Sequence, residues 1–292
     1  LKFFGFLLKT NIFRLIQFFP FLLPGQEGVN LGKPTGISVM PLIPRKLATS
    51  FLVGLALVLP FAPAQAAERL TLSTGMAEPW TTQERDGFTD LLIPALFKRL
   101  GIEAELVVNK ASARAITLAD DGIDDGIAAR VEGLEAKFPN LIRVPEPIFV
   151  NDFVACSLGQ GPARADWQSI AGYRSSYIIG WQIFDNNLKP DKTLLLAKDA
   201  EQLFALLKAK KVDLALHERW QALWLAREAG MKLTIHEPPL ARVKMFIYLH
   251  RKHADLVNRV AGELTAMKAD GSYQAIAKRA FKGLGQPARL EP

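Results

Sequence analysis

One cysteine, Cys156, occurs in 292 residues. An intramolecular disulfide and a thiolate zinc cluster are therefore excluded. Cys156 lies in the apolar run "NDFVACSL", where a buried, inert thiol is expected. Histidine is also scarce, at four residues, and His236, His250 and His253 show no metal-ligand spacing with any partner. No metal and no cofactor are expected. Neither G-x-S-x-G nor a phosphate-cradling glycine loop occurs. A Lys/Arg run with interleaved aromatics is missing too, so nothing marks a nucleic-acid-binding surface.

The formal net charge of +7 points the other way only until the leader is removed. Residues 1–39 are Phe- and Leu-rich without caps or a clear period, and they are expected to be mis-assigned upstream sequence; a membrane segment is the rival reading, though Lys9, Arg14 and Pro20 interrupt it. Met40 then opens an orderly leader: Arg45 and Lys46, an apolar core from Leu47 to Leu59, and Pro60. Ala64-Gln65-Ala66 offers small residues for cleavage after Ala66 or Ala67, so 40–66 is expected to be a signal peptide. Its core is shorter than the roughly 20 residues that span a bilayer. Six bases and one acid lie in residues 1–66, which leaves 30 bases against 28 acids, or +2. A periplasmic protein without disulfides is expected, with no stable membrane insertion after cleavage.

Beyond the leader, strands and helices alternate. "RLTLSTG", "IEAELVVN", "IDDGIAA" and "LIRVPEPIFVNDFVACSL" read as strands, separated by helices at "GFTDLLIPALFKRLG" (kinked by Pro94) and "SARAITLADDG", with Ser112 as N-cap. A second set repeats the theme: strand "SSYIIGW", helix "KDAEQLFALLKAKK", strand "VDLALH", helix "ERWQALWLAREAG", then strands "KLTIHEP" and "VKMFIYLH". Helices at "ADLVNRVAGELTAMKADG" and "YQAIAKRAF" close the chain. This is an α/β pattern with mostly parallel sheets, in two lobes wound together by strands.

"DDGIDDGIAARVE" resembles a calcium loop when counted from Asp121, with Asp125, Gly126 and Glu132 in place. Ile123 and Ala129 occupy positions that need oxygen ligands, so a helix stop at Gly122 and then a strand explains the stretch better.

The order and spacing of these parts, from "ERLTLSTGMAEPW" through Gly180-Trp181 and "KKVDLAL" to "LTAMKADGSYQAIAKRAF", resemble a periplasmic solute-binding protein of the extracellular solute-binding family 3 type. The resemblance implies a two-lobed type II fold whose sheets are joined by two crossing hinge strands, with a ligand in the cleft. Residues 67–150 and 248–292 would form the first lobe and 151–247 the second. The crossings would fall near Phe149–Phe153 and Met245–Leu249. It also implies a small-molecule ligand, amino-acid-like, and an inner-membrane transporter permease as partner. Amino-acid carriers of this type place a Ser/Thr-rich loop and an arginine where this chain has "DDGIAARVEGLEAKFPN", which puts an α-amino acid in doubt but not a carboxylate.

Position in the fold selects the candidate ligand residues. Arg130 sits at a strand's carboxyl end, where open α/β sheets bind ligands, and a guanidinium there grips a carboxylate; a salt bridge to Glu132 or Glu135 is the alternative. Arg114 lies in the first turn of its helix, near N–H groups that favour an anion, or is simply solvated. Glu78 and Trp80 lie in the connection "GMAEPWTT", Trp80 either stacking on ligand or packing. Trp181 and Gln182 close the corresponding strand of the second lobe, opposite Trp80 across the cleft. His217 ends "VDLAL", lining the cleft or capping the next helix. Trp220 and Trp224 are expected in a core.

Capture of a small polar, carboxylate-bearing solute for delivery to a transporter is the leading expectation. A ligand sensor acting in trans is a second, and a cleft enzyme such as a cyclic-acid dehydratase a third. The enzyme would need Glu78 or His217 as acid or base, and the chain is read as a non-enzyme.

Overall fold

A computed structural model of the protein describes residues 69–109, 112–189, 191–285 and 290. The expectations for the leader and its cleavage, and for the Ser112 side chain, lie outside these residues. The first half of the fold runs β1 (Arg69–Thr74), α1 (Phe88–Arg99), β2 (Glu103–Val108), α2 (Ser112–Asp120), β3 (Gly126–Val131), β4 (Leu141–Arg143) and β5 (Phe149–Ser157). The second half runs β6 (Ser175–Ile178), α3 (Gln182–Asp185), β7 (Leu194–Ala197), α4 (Ala200–Lys208), β8 (Leu214–Glu218), α5 (Arg219–Glu228), β9 (Thr234–His250), α6 (Leu256–Ala269) and α7 (Ser272–Ala280). Among the described residues no helix is long and apolar enough to cross a membrane.

The strands are ordered β2-β1-β3-β9-β5-β8-β6-β7, with β4 on β9. Each end of this path is a parallel set: β1 between β2 and β3, and β6 between β7 and β8. Each set is then met by an antiparallel strand, β9 on β3 and β5 on β8. Every lobe is thus completed by a strand that also serves the other. β5 pairs with β9 from Phe149↔Met245 to Ser157↔Thr234, and this ladder is the only strand connection between the two sets among the described residues.

Two strands expected at "KLTIHEP" and "VKMFIYLH" are one continuous strand, β9. Pro238 and Pro239, at the junction of the two expected strands, fall where β5 and β9 shift register, between Phe153 and Ala155, and the ladder does not need their missing N–H groups there. β9 stays paired with β5 up to Met245, where it also joins β3 through Val131. The change of partner falls at Met245, the first residue of the Met245–Leu249 segment, whose Ile247 and Leu249 are core of the first lobe. Pro94 is accommodated inside α1, which runs through it.

Burial follows the sheets. Leu72, Leu92, Ile93, Phe97, Val260 and Leu264 form the first core, with α1, α6 and α7 over the sheet. Tyr177, Phe184 and Leu216 fill one side of the second sheet; Cys156, Leu203, Leu207 and Ala215 fill the other. Cys156 is fully buried, its thiol pushed up to about 12 by burial, so it is a packing residue. The acidic stretch is structural: α2 stops at Asp120, Gly122 takes a left-handed φ of 74°, and β3 begins at Gly126. Asp124 accepts from the Ser73 hydroxyl, and Asp125 from the Thr71 N–H at 2.8 Å and His253 Nε2 at 2.8 Å.

Gly126 carries a specific constraint. A Cβ there would run into the carbonyl oxygen of Tyr248 on β9, a ladder group that cannot rotate away. Gly126→Ala is expected to cost about 1–3 kcal/mol, read as a lower midpoint in denaturant unfolding with an unchanged slope.

Candidate functional site

The carboxyl ends of β1, β3, β6 and β8 are where connecting loops, and therefore functional side chains, concentrate in sheets of this type. Two of these ends are conspicuously apolar: Val131 closes β3 at 47% exposure, and Ile179 follows β6 at 59%.

A cavity of about 340 Å³ opens at this place. Val131 reaches it from the first lobe, Phe153 and Val243 from the two crossing strands, and Trp181, Gln182, Ile183 and Asn186 from the second lobe. Its walls come from both lobes and from the ladder between them. A second cavity, about 360 Å³, lies between α4 and α5 and takes in Phe204, Leu225 and Met231. It is walled by the second lobe alone, so the first is the candidate site.

Local structure explains each wall. Gly180, at φ 85°, turns the chain sharply after β6, and Trp181 then starts α3 as its N-cap residue. The indole is held edge-on to Phe153 (5.9 Å between centroids) and stacked on Phe184 (6.0 Å). On β5, Phe149, Asn151 and Phe153 share one face by strand alternation, and Asn151 is directly opposite Val243. Asn151 therefore shares a face with Phe153 and Val243 but does not line the cavity. It is 7% exposed, and its Oδ1 has no hydrogen-bond partner among the described residues.

The opposite face of the same strand pair is ionic. Asp152 is buried and accepts from Arg219 Nε at 3.1 Å and Arg242 Nε at 3.0 Å; Arg219 also reaches Glu237 at 2.7 Å. Both carboxylate oxygens of Asp152 are thereby occupied, and the charge is sequestered away from the cavity.

Of the residues singled out in the sequence, the structure brings Trp181 and Gln182 to the cavity. Glu78 is exposed on the β1–α1 connection and Arg114 exposed on α2; neither lines it. Arg130 pairs with Phe246 and so sits on the other face of the sheet from Val131, toward the small core formed with Ala119 and Tyr248. It is half-buried, and desolvation holds its pKa below the ordinary guanidinium range. Glu132 and Glu135, proposed as its partners, are instead reached by Arg143 at 3.4 Å.

Trp80 is corrected from ligand stacking to packing. It has no exposed surface, and one ring face is covered by Phe149 at 4.0 Å. Its Nε1 donates to Glu218 Oε2 at 3.1 Å, a bond from the first lobe's loop to the end of β8. It does not face Trp181, which rests against Phe153. Around it Phe88, Phe281 and Trp220 form one aromatic cluster, so α5, which follows the second lobe's β8, packs into the first lobe's core.

His217 is fully buried behind Trp181, 4.6 Å between ring centroids, and burial pulls its pKa down to about 4. It does not cap α5. Glu218 does, accepting from the N–H groups of Trp220 (3.1 Å) and Gln221 (2.9 Å). Burial pushes the Glu218 carboxyl up to about 7, against the pull of its three donors. Phe153, Val131 and Val243 line the cavity and were missed by sequence reasoning, which has no local signal for an apolar strand residue that faces a cavity and not a core.

No family model matches the chain. It is 25% identical over 178 residues to an uncharacterized protein of Shewanella oneidensis, a match spanning 57% of this chain and 66% of that relative's length. Among solved structures, it resembles the GluR0 ligand-binding core in complex with L-glutamate, at TM-score 0.63 and 13% identity over 74% of this chain and 99% of that one. A probable amino-acid ABC transporter extracellular-binding protein of Bacillus subtilis gives 0.61 and 15%, over 74% and 99%. A histidine kinase sensor domain with similarity to periplasmic binding proteins gives 0.57 and 16%, over 77% and 99%. The chain has the two-lobed α/β fold of these binding proteins.

The buried pair at the end of β8 predicts a pH dependence. Glu218 binds its proton more tightly when folded, so its contribution is complete below about pH 4.5 and is lost as pH rises through about 7. His217 acts in the opposite sense: its contribution is complete above about pH 6.5 and is lost as pH falls through about 4. Between about pH 6.5 and 8 Glu218 by itself loses about 1 kcal/mol of stability, partly offset by the histidines whose pKa burial lowers and whose unfolded forms still titrate there. Comparison with Glu218→Gln isolates it: across that interval the melt of the unaltered protein should fall by roughly 2–4 °C relative to that of the variant, which is less stable throughout.

Proposed function

We propose that the protein is a solute-binding protein: a small molecule enters the cavity between the lobes, and bending at β5 and β9 closes the lobes over it. One observation carries this reading. The cavity's walls are divided between Val131 of the first lobe, Phe153 and Val243 of the crossing strands, and the Trp181 segment of the second lobe. A ligand touching all three is buried more in a closed arrangement than in an open one, and that difference in contact is what shifts the equilibrium toward closure.

The fold neighbours support the reading, since they include a ligand-binding core complexed with L-glutamate and a probable amino-acid ABC transporter extracellular-binding protein. Delivery to a membrane transporter after export to the periplasm is the role that joins the leader-like residues 40–66 to this fold, and a family 3 affiliation belongs with it. The likeness to a histidine kinase sensor domain supports a second reading, in which the closed, loaded form is recognised by a signalling partner. Binding without turnover fits the cavity's side chains, which are aliphatic, aromatic or amide; Glu78 is exposed elsewhere and His217 is held neutral in the interior. The acid ligand suggested by Arg114 and Arg130 draws no support from the cavity lining, so the reading is built on the cavity and not on the arginines.

A ligand at about 100 times its dissociation constant adds about 2.7 kcal/mol, which for a protein of this size raises the melt by roughly 5–10 °C. A solute screen by thermal shift should yield such a ligand. Trp181→Ala should shrink the shift strongly, while Arg114→Ala leaves it unchanged; a ligand whose shift survives Trp181→Ala would remove the cavity from consideration.

A further inference from the structure

The two amide side chains of the cavity lining have a consequence of their own. Resting on the solute-binding reading, we infer that Gln182 and Asn186 determine its specificity. They take the edge of a small planar ring on which a C=O and an N–H lie side by side, as in a lactam or a pyrimidine- or purine-type base.

Gln182 opens α3 and Asn186 caps its end, with the Asn186 N–H donating to the Gln182 carbonyl at 2.9 Å. Residues at this spacing share one side of a helix, and both are exposed and line the cavity. Their amides keep hydrogen-bonding capacity. Gln182 Nε2 donates to Asp185 Oδ2 at 3.3 Å, which engages the nitrogen and leaves Oε1 open among the described residues. Neither Oδ1 nor Nδ2 of Asn186 is engaged there. An acceptor on one residue and a donor one turn on complement an amide edge: the ligand N–H donates to Gln182 Oε1, and its C=O accepts from Asn186 Nδ2. Glutamine and asparagine amides read the edges of bases by the same two-point pairing.

The rest of the lining suits an uncharged ring and opposes an ion. Val131, Ile183 and Val243 are aliphatic, Phe153 and Trp181 are aromatic, and no charged side chain lines the cavity among the described residues. A zwitterion there would lose hydration at both ends without a counter-charge. The charges nearest along the chain are already engaged or face elsewhere. Asp185 accepts from the Tyr177 hydroxyl at 2.7 Å and from Gln182, and Asp152 from Arg219 and Arg242. Glu132 is reached by Arg143 at 3.4 Å, and Lys244 alternates with Val243 onto the other face of β9. The volume, about 340 Å³, lies at the small end of ligand sites, which fits a ring system and not a peptide.

The test compares matched probes on the full chain by thermal shift and titration calorimetry. Quinolinone, thymine and hypoxanthine carry the C=O/N–H edge, and each is paired with an N-methyl counterpart that cannot donate from it. L-phenylalanine, L-glutamate and L-arginine form the charged set. At least one edge-bearing probe is expected to saturate, its N-methyl counterpart to bind about tenfold more weakly, and the charged set not to bind. Gln182→Leu should weaken that probe by about tenfold and remove most of the difference within the pair, since neither member then makes the bond. Asn186→Ala should weaken both members alike. Both residues are exposed, so the ligand-free melting temperature is expected to stay unchanged. A Gln182 that only shapes α3 would leave the difference within the pair in place. Saturation indifferent to N-methylation and to both variants overturns the assignment and leaves the solute-binding reading standing. Saturation by a charged amino acid, with the edge-bearing set silent, does the same. Silence from every probe overturns this ligand class alone, and the wider solute screen then decides the solute-binding reading.

Discussion

The β5–β9 ladder is the constraint on which everything else rests. Two strands that each belong to both lobes are held in one register, Phe149↔Met245 to Phe153↔Ala241, and strand alternation then sorts their side chains onto two faces. One face receives Asp152 and Arg242, which meet Arg219 and close a charge network. The other receives Phe149, Asn151, Phe153 and Val243, which become core at one end and cavity at the other. A slip of one residue would exchange the faces, placing a carboxylate in the cavity and an aromatic ring among the arginines. The register of a single ladder therefore sets the chemistry of the site.

A second joint lies beside it. Trp80 bonds to Glu218 across the lobes, and the cluster around Phe88, Phe149, Phe281 and Trp220 draws α5 into the first core. The proposed closure would keep this packing, since opening it exposes several fully buried aromatic rings and leaves the Glu218 carboxyl without its indole donor. Bending is thereby confined to the strands, next to the cavity. In the proposed function the place of binding thus lies beside the place of bending.

Much of the architecture was legible in the chain. Alternation marked β1, β2 and the strands of the second lobe; glycine stops at Gly101, Gly122 and Gly230 marked helix ends; and the helix–Gly–strand account of "DDGIDDGIAARVE" matches α2, Gly122 and β3. The site was legible only at Trp181-Gln182, which come directly after a strand end. Arg130 misled because a strand's carboxyl end specifies a place and not a face: the register shift between Ile127 and Arg130 puts its side chain on the α2 side. Trp80 misled because loop tryptophans are ambiguous until their neighbours are known, and here the neighbours, Phe149, Phe281 and Glu218, are 69 or more residues away in sequence.

Local order, the alternation of strands and helices and the two-lobed plan were determined by the sequence itself, because periodicity and turn chemistry act over a few residues. The division of β5 and β9 into an ionic face and a cavity face was decided only by tertiary structure. Asp152 and Phe153 are adjacent; what makes one a partner of Arg242 and the other a wall of the cavity is the strand lying opposite, about 90 residues further along the chain, whose register no local pattern fixes.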